Sequence, residues 1–159
     1  MKKGLAPIVD QQTEVLILGS GPSDRSIALQ QYYGNRGNQF WKVVFGALKQ
    51  IDPINYTERI ALLKANHIGL WDVYGAFDRQ GSMDTNYKET QLNDFSEILT
   101  LASLKKIIAN GNESFRIIEK HALFPELPVE KCSSTSGANN GRQVQRKAEW
   151  ESALAFLTQ

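Results

Sequence analysis

A single cysteine, Cys132, in 159 residues leaves no internal disulfide and no cysteine-only zinc or iron–sulfur site. That suits a reducing compartment, and a cytoplasmic location is expected. The two histidines, His67 and His121, offer no His-based metal site and no nucleophile–His pair. Each falls near the end of an expected helix, where capping and dipole effects account for it. No apolar run approaches the roughly 20 residues of a membrane span. The opening MKKGLAPIVDQQ has two lysines but no apolar stretch behind them, so it does not read as a secretory leader. Charge of one sign is lacking too: 18 basic against 17 acidic residues give a net +1. Global basicity therefore does not announce a nucleic-acid binder. An enzyme that touches a few phosphates through N–H and hydroxyl groups needs none. There is no internal repeat and no low-complexity linker, and 1–159 reads as one domain, long enough to bury roughly 70% of its unfolded surface.

Within that frame the chain alternates. Glu14–Leu18 (EVLIL) is a short apolar run closed by Gly19, the pattern of a buried strand. Residues 39–51 carry apolar side chains at 40, 41, 44, 45 and 48, the stripe of an amphipathic helix, which stops before Asp52-Pro53. The same reading predicts helices over 56–65, 94–102, 113–121 and 143–157, and strands over 68–73, 104–109 and 129–132. Residues 81–90 are polar and predict a loop. Strands alternating with helices predict an α/β layered domain with a mostly parallel sheet. In such sheets ligands sit at the carboxyl ends of strands. Three polar loops fall there: 19–38, 110–112 and 133–142.

Each loop has an ordinary reading beside a functional one. Gly19-Ser20-Gly21-Pro22-Ser23-Asp24 can hold a phosphate or carbonyl against backbone N–H groups, or it is a tight strand exit. The dinucleotide pattern fails because Asp24 stands at its third glycine, and no Gly-Lys-Ser/Thr follows for a triphosphate. Ser133-Ser134-Thr135-Ser136 can donate to phosphate oxygens or cap the segment that follows. Asp72 and Asp78 flank Tyr74–Phe77 and could form an acid/base pair, although solvated loop charges are the expectation. YYGNRGNQFW, residues 32–41, is the odd stretch: four aromatics among two Gly, two Asn and an Arg.

Taken together, LILGSGPSDRS, YYGNRGNQFWK and SSTSGAN resemble the uracil-DNA glycosylase superfamily, closest to its hypoxanthine-DNA (deoxyinosine) glycosylase branch. GSMDTNYK and IIANG also look like that branch. The mismatch-specific uracil/thymine glycosylases share an N-x-F-W-K element like Asn38–Lys42. The likeness runs from Val15 to about Arg142. It implies a three-layer α/β/α sandwich with a short, mostly parallel central sheet. It implies hydrolysis of the N-glycosidic bond of a deaminated base (hypoxanthine, uracil or both) flipped out of DNA. It implies no metal, no diffusible cofactor, no membrane partner, and a monomer. By position in the motif, Tyr33 would stack the base and Asn38 would orient the attacking water. Gly19, Ser20, Gly21, Pro22 and Ser23 would meet the base or stabilise its departing charge, with Asn110. Ser134, Ser136, Gly137, Asn139, Asn140 and Arg142 would grip DNA. Phe40 and Trp41 read as core behind the aromatic wall.

The chain departs from the family pattern in three places. Gly21 stands where the first motif usually carries Asp, or Asn in the mismatch branch. No His stands in the second motif. Ser133 stands where Pro more often precedes the motif serine, which removes a stiffening residue. The first departure leaves an alternative: a catalytically impaired module of the same fold that only binds damaged or single-stranded DNA.

Overall fold

The computed structural model describes residues 1–83 and 86–158. In chain order, β1 (Lys2–Lys3), β2 (Val15–Gly19), α1 (Asp24–Leu29), α2 (Phe40–Ala47) and α3 (Tyr56–Ala65) make the first third. Next come β3 (Ile68–Asp72), β4 (Tyr74–Arg79), β5 (Tyr87–Leu92) and α4 (Ser96–Leu101). β6 (Lys106–Asn110), α5 (Asn112–His121), β7 (Val129–Cys132), a 3-10 turn (Gly137–Arg142) and α6 (Gln143–Leu154) follow, and Ala155–Thr158 adds a second 3-10 turn.

The central sheet has the order β3-β2-β6-β7 with every pair parallel. Its two central strands, β2 and β6, are apolar over Val15–Leu18 and Ile107–Ala109 because both faces are covered. Alternate side chains go to opposite layers. Val15, Ile17 and Ile108 pack with α2, α3 and α6, around Phe40, Leu63 and Trp150. Leu16, Leu18, Ile107 and Ala109 pack with α4 and α5, around Ile98, Ile117 and Ile118. Helices on both faces of a parallel sheet make the three layers the resemblance implied.

A second sheet, β1-β4-β5, is antiparallel. β4 follows β3 after a single residue, Val73, and β5 occupies part of the stretch expected to be loop. That expectation is corrected. β5 (YKETQL) is almost wholly solvent-facing, so it lacks the apolar alternation by which a strand is read. α1 lies inside the expected loop 19–38. α2 ends four residues short of Ile51: Leu48 closes it and Lys49 is left-handed at φ 58°.

Candidate functional site

The register aligns the carboxyl ends of the parallel strands. Gly19 pairs with Asp72, Leu18 with Ala109, and Asn110 with Cys132. From β2 the chain first builds outward to β3 and later returns to β6 on the other side, so the loops after β2 and β6 part there. Such a switch point leaves a crevice. It is occupied by a cavity of about 280 Å³, at the small end of ligand pockets, which run to roughly 300–1,000 Å³. Gly19–Ser23, Tyr33, Asn38, Asn110, Ser134, Ser136 and Gly137 all line it. The structure thus gathers three loops separated by up to 119 positions in the sequence onto one hollow, from Gly19 to Ala138.

The aromatic stretch forms one wall. Tyr33 stacks face to face on Phe40, with centroids 3.8 Å apart and planes 7° apart. Trp41 meets Phe40 edge-on at 5.0 Å and stacks on Phe45. Phe40 and Trp41 are buried, as the sequence reading expected. Tyr33 is only partly buried, with a left-handed backbone at φ 55°. Burial, then the charge of Asp72, pushes its phenol well above the usual range, so its hydroxyl stays neutral. Asn110 donates from Nδ2 to that hydroxyl at 3.4 Å and to Thr135 Oγ1 at 3.0 Å, while its Oδ1 accepts from Thr135 N at 3.0 Å. Both ends of this amide are engaged in tying the β6 terminus to the wall and to the serine-rich loop. Asn38 Oδ1 accepts from Phe40 N at 2.9 Å. That turn starts α2 and fixes the rotamer of the amide at the cavity's edge.

The glycine loop is held from behind. The carbonyls of Gly19 and Ser20 accept from Val73 N and Tyr74 N, both at 2.9 Å. Arg79 is buried, stacks on the Phe77 and Tyr87 rings, and donates to Pro22 O at 2.6 Å, Gly81 O at 2.7 Å and Tyr87 Oη at 2.8 Å. Tyr87 Oη in turn donates to Ser20 Oγ at 3.1 Å. These groups fill the space beside Gly21. A Cβ there would lie 2.8 Å from Tyr87 Oη and 2.9 Å from Phe77 Cε1. The missing motif side chain is therefore replaced by a tyrosine and a phenylalanine from the second sheet. Ser23 Oγ accepts from Ser26 N at 3.1 Å and caps α1.

Asp72 corrects the expectation of a solvated loop charge. It is 4% exposed, at the end of β3, and forms part of the cavity wall. Asp78 is half-exposed, 3.5 Å from the N-terminal amine, so the two do not form a pair. Burial of Asp72 was legible only through its register with Gly19, which a sequence does not display. Ser82 and Met83, in the turn between β4 and β5, also line the cavity. They went unnoticed because the stretch reads as a polar loop. Asp84 and Thr85 of the GSMDTNYK segment lie outside the described residues.

The serine-rich loop, which lacks the family's proline, is bonded to α6 at Ser133. Glu149 on α6 accepts from Ser133 N at 2.7 Å and from Ser133 Oγ at 2.8 Å. Partial burial would raise its carboxyl, but the Ser133 bonds, the Gln145 bond and the charge of Lys131 together hold it below the usual carboxylate range. Trp150 Nε1 donates to Ser133 O at 2.9 Å. Ser134 Oγ accepts from Ser136 N, and Ser136 Oγ from Ala138 N, both at 3.1 Å. Asn139 Nδ2 donates to Ser134 O, and Asn140 Nδ2 to Gly37 O. The side chains expected to grip DNA thus also shape the loop. Gly137 packs backbone-to-backbone on Gly37: a Cβ on it would lie 3.1 Å from Gly37 O. Arg142 is exposed.

Lys42, the lysine nearest the aromatic wall, points outward from α2, and no lysine is among the described residues lining the cavity. His67 bonds Gln12 O and lies near Glu14, and His121 ends α5, both away from the cavity. Among the described residues no three His, Cys, Asp or Glu side chains come together as a metal would require, and no helix is long and apolar enough to cross a membrane.

Comparison with known proteins agrees with this geometry. The family model for the uracil DNA glycosylase superfamily matches residues 6–158. A hypoxanthine DNA glycosylase from Methanosarcina barkeri is 40% identical over 157 residues, covering 96% of this chain and 98% of the relative. Its counterpart from Methanosarcina acetivorans is 40% identical over 158 residues, covering 97% and 98%. A solution NMR structure from M. acetivorans, described as a candidate uracil DNA glycosylase, superposes with a TM-score of 0.89 at 38% identity and covers 99% of each chain. The chain belongs to the uracil DNA glycosylase superfamily.

Proposed function

We propose that this protein is a monofunctional DNA glycosylase that hydrolyses the N-glycosidic bond of a deaminated base, hypoxanthine foremost, flipped from DNA into the cavity. The observation that carries this reading is the cavity itself: small, walled by Tyr33, edged by the amide of Asn38, and with no lysine among its described lining residues. A flipped base loses its stacking partners and regains one on Tyr33, on the face opposite Phe40. Asn38 Oδ1, already oriented by Phe40 N, has a second lone pair with which to hold water. As the C1′–N bond breaks, its electron pair leaves with the base, the sugar becomes cationic, and the water oxygen bonds C1′ as it sheds a proton to solvent. Positioning rather than strong base catalysis suffices for such a dissociative step. Backbone N–H groups of the 20–23 loop would meet the charge growing on the base. Without an amine in the cavity no Schiff base forms, so the product is an abasic site.

Asp72 supports deaminated bases as the substrate class. Deamination turns adenine's ring N1 from acceptor to N–H donor, and cytosine's N3 likewise. A carboxyl oxygen accepts, and in this wall it can pair with the ring N–H that only the deaminated edge presents. Asp72→Asn, which offers a donor, is expected to narrow the hypoxanthine-over-adenine preference by about 1–3 kcal/mol. Single-turnover cleavage of matched oligonucleotides reads this, and an unaltered preference would remove Asp72 from base recognition. Tyr33→Leu should weaken capture of the flipped base by about 1–3 kcal/mol, while Tyr33→Phe keeps the ring and the affinity. Equal behaviour of the two would mean that the ring does not stack the base.

The reading as a whole is tested with oligonucleotides carrying one deoxyinosine, deoxyuridine or deoxyxanthosine, single- and double-stranded, followed by hot alkali. Alkali-dependent cutting at one lesion establishes the activity and ranks the bases. DNA binding without cutting on any of them would instead select the binding module, the reading that the missing first-motif side chain at Gly21 leaves open.

A further inference from the structure

Behind the cavity mouth, α2 and α6 pack side by side and leave a groove of about 430 Å³. Its charged lining has one sign: Lys42, Arg146 and Lys147, with Gln39 and Gln143 beside them and no Asp or Glu among the lining residues. In a chain of net charge +1 this is segregation of charge, not a share of general basicity. Lys42 and Lys147 are solvent-facing. Arg146 is not: it is 2% exposed. Its Nη1 donates to Ser134 O at 3.3 Å and Asn140 Oδ1 at 3.2 Å, both neutral acceptors. Its Nε is buried with no partner among the described residues. Burial alone acts on its titration, holding it below the usual arginine range. A cation buried against neutral groups is costly to a fold, and it is retained here directly beneath the Ser134–Asn140 loop. The groove begins where the two mouth loops meet: Gln39 N donates to Thr135 O at 2.8 Å, and Asn140 Nδ2 to Gly37 O at 3.2 Å.

We propose that the α2–α6 groove is a binding site for nucleic-acid backbone phosphates, carrying the strand onward from the nucleotide whose base enters the cavity. Lys42 and Lys147 are its outer cations, and Arg146 is the buried charge that a docked phosphate offsets through the loop above it. The site rests on the glycosylase reading for its orientation. Lys147 also lies 3.9 Å from Glu151, one turn further along α6 and outside the groove lining.

The test is the salt dependence of DNA affinity, read with an inosine-containing oligonucleotide for the unmodified protein and for Lys42→Gln/Lys147→Gln. Each phosphate contact contributes about 0.7–0.9 to the slope of log K against log salt concentration. The double variant should therefore lose about 1.4–1.8 from that slope. Lys64→Gln/Lys120→Gln, on distant helix ends, should leave it unchanged. Arg146→Met should weaken binding while the melting temperature holds or rises, because a buried uncompensated charge is removed. An unchanged slope in the first variant, or an equal loss in the Lys64/Lys120 control, overturns the groove. If Arg146→Met does not fold, the surface pair alone decides. Cleavage by the unmodified protein, measured in parallel, judges the glycosylase reading separately: cutting with an unchanged slope sinks only the groove, and a groove-dependent slope without cutting sinks only the chemistry.

Discussion

Asn38→Ala should lower single-turnover base release by roughly 10²–10⁴-fold, the range typical of a positioned group that handles a proton or its water. DNA affinity should stay within a few-fold, because Asn38 sits at the cavity's edge and not in the serine-rich loop. The substitution also removes the acceptor for Phe40 N, costing about 1 kcal/mol of stability at the start of α2. That side effect needs a control, and Asn38→Asp supplies it. An aspartate keeps an oxygen for Phe40 N and adds a true base, so it should fold as the parent does and retain release at neutral pH. Retention in Asn38→Asp, with a loss in Asn38→Ala that persists under conditions where that variant is fully folded, assigns the oxygen a chemical role. Equal loss in two folded variants would show that the amide nitrogen, which aspartate lacks, is needed and that the oxygen alone is not the water's partner. Loss of DNA binding with normal release at saturation would contradict the assignment outright.

The sequence showed the parallel sheet and its loops well, for a physical reason. Strands buried on both faces are short unbroken apolar runs, and β2 and β3 could be read from VLIL and IGLW alone. α3 matched its expected bounds at both ends because Asn55 caps it, accepting from Glu58 N, and Ala65 ends it before Asn66. α1 was hidden because six residues with a single buried side chain, Ser26, carry no stripe. β4 and β5 were hidden because the outer strand of their hairpin faces water and β4's other partner, β1, lies some 75 positions away. The site divided along the same line. Residues within a motif, such as Tyr33 and Asn38, were singled out by their place in stretches that resemble the family's. Asp72, Arg79 and Tyr87 could not be, since each reaches the site only through sheet pairing, and nothing in YGAFDR or YKETQL marks a residue that leans on Gly21.

Gly21→Asp, which restores the side chain most of the superfamily carries there, is expected to give no gain in rate and a loss of about 1–3 kcal/mol in stability. The usual inference from a missing catalytic residue is that replacing it repairs the enzyme. Here the space is taken. The new Cβ would lie 2.8 Å from Tyr87 Oη and 2.9 Å from Phe77 Cε1, and neither can yield cheaply. Phe77 is fully buried in the core beside α4 and α5. Tyr87 is held by Arg79 Nη1 and bonds Ser20 Oγ, so moving it disturbs Ser20 and unseats the guanidinium that also grips Pro22 O. The insertion therefore distorts the loop whose N–H groups would stabilise the departing base, and release should fall rather than rise. Gly46→Ala is the matched control: a Cβ there meets nothing within 4 Å, and in a helix the change should be neutral or stabilising by up to about 1 kcal/mol. Thermal or denaturant unfolding reads the stability difference, and single-turnover release on deoxyinosine and deoxyuridine reads the rate. A Gly21→Asp protein that is as stable as the parent and faster on either base would mean that the second sheet yields, and that Gly21 marks a lost function rather than a site rebuilt around Asn38.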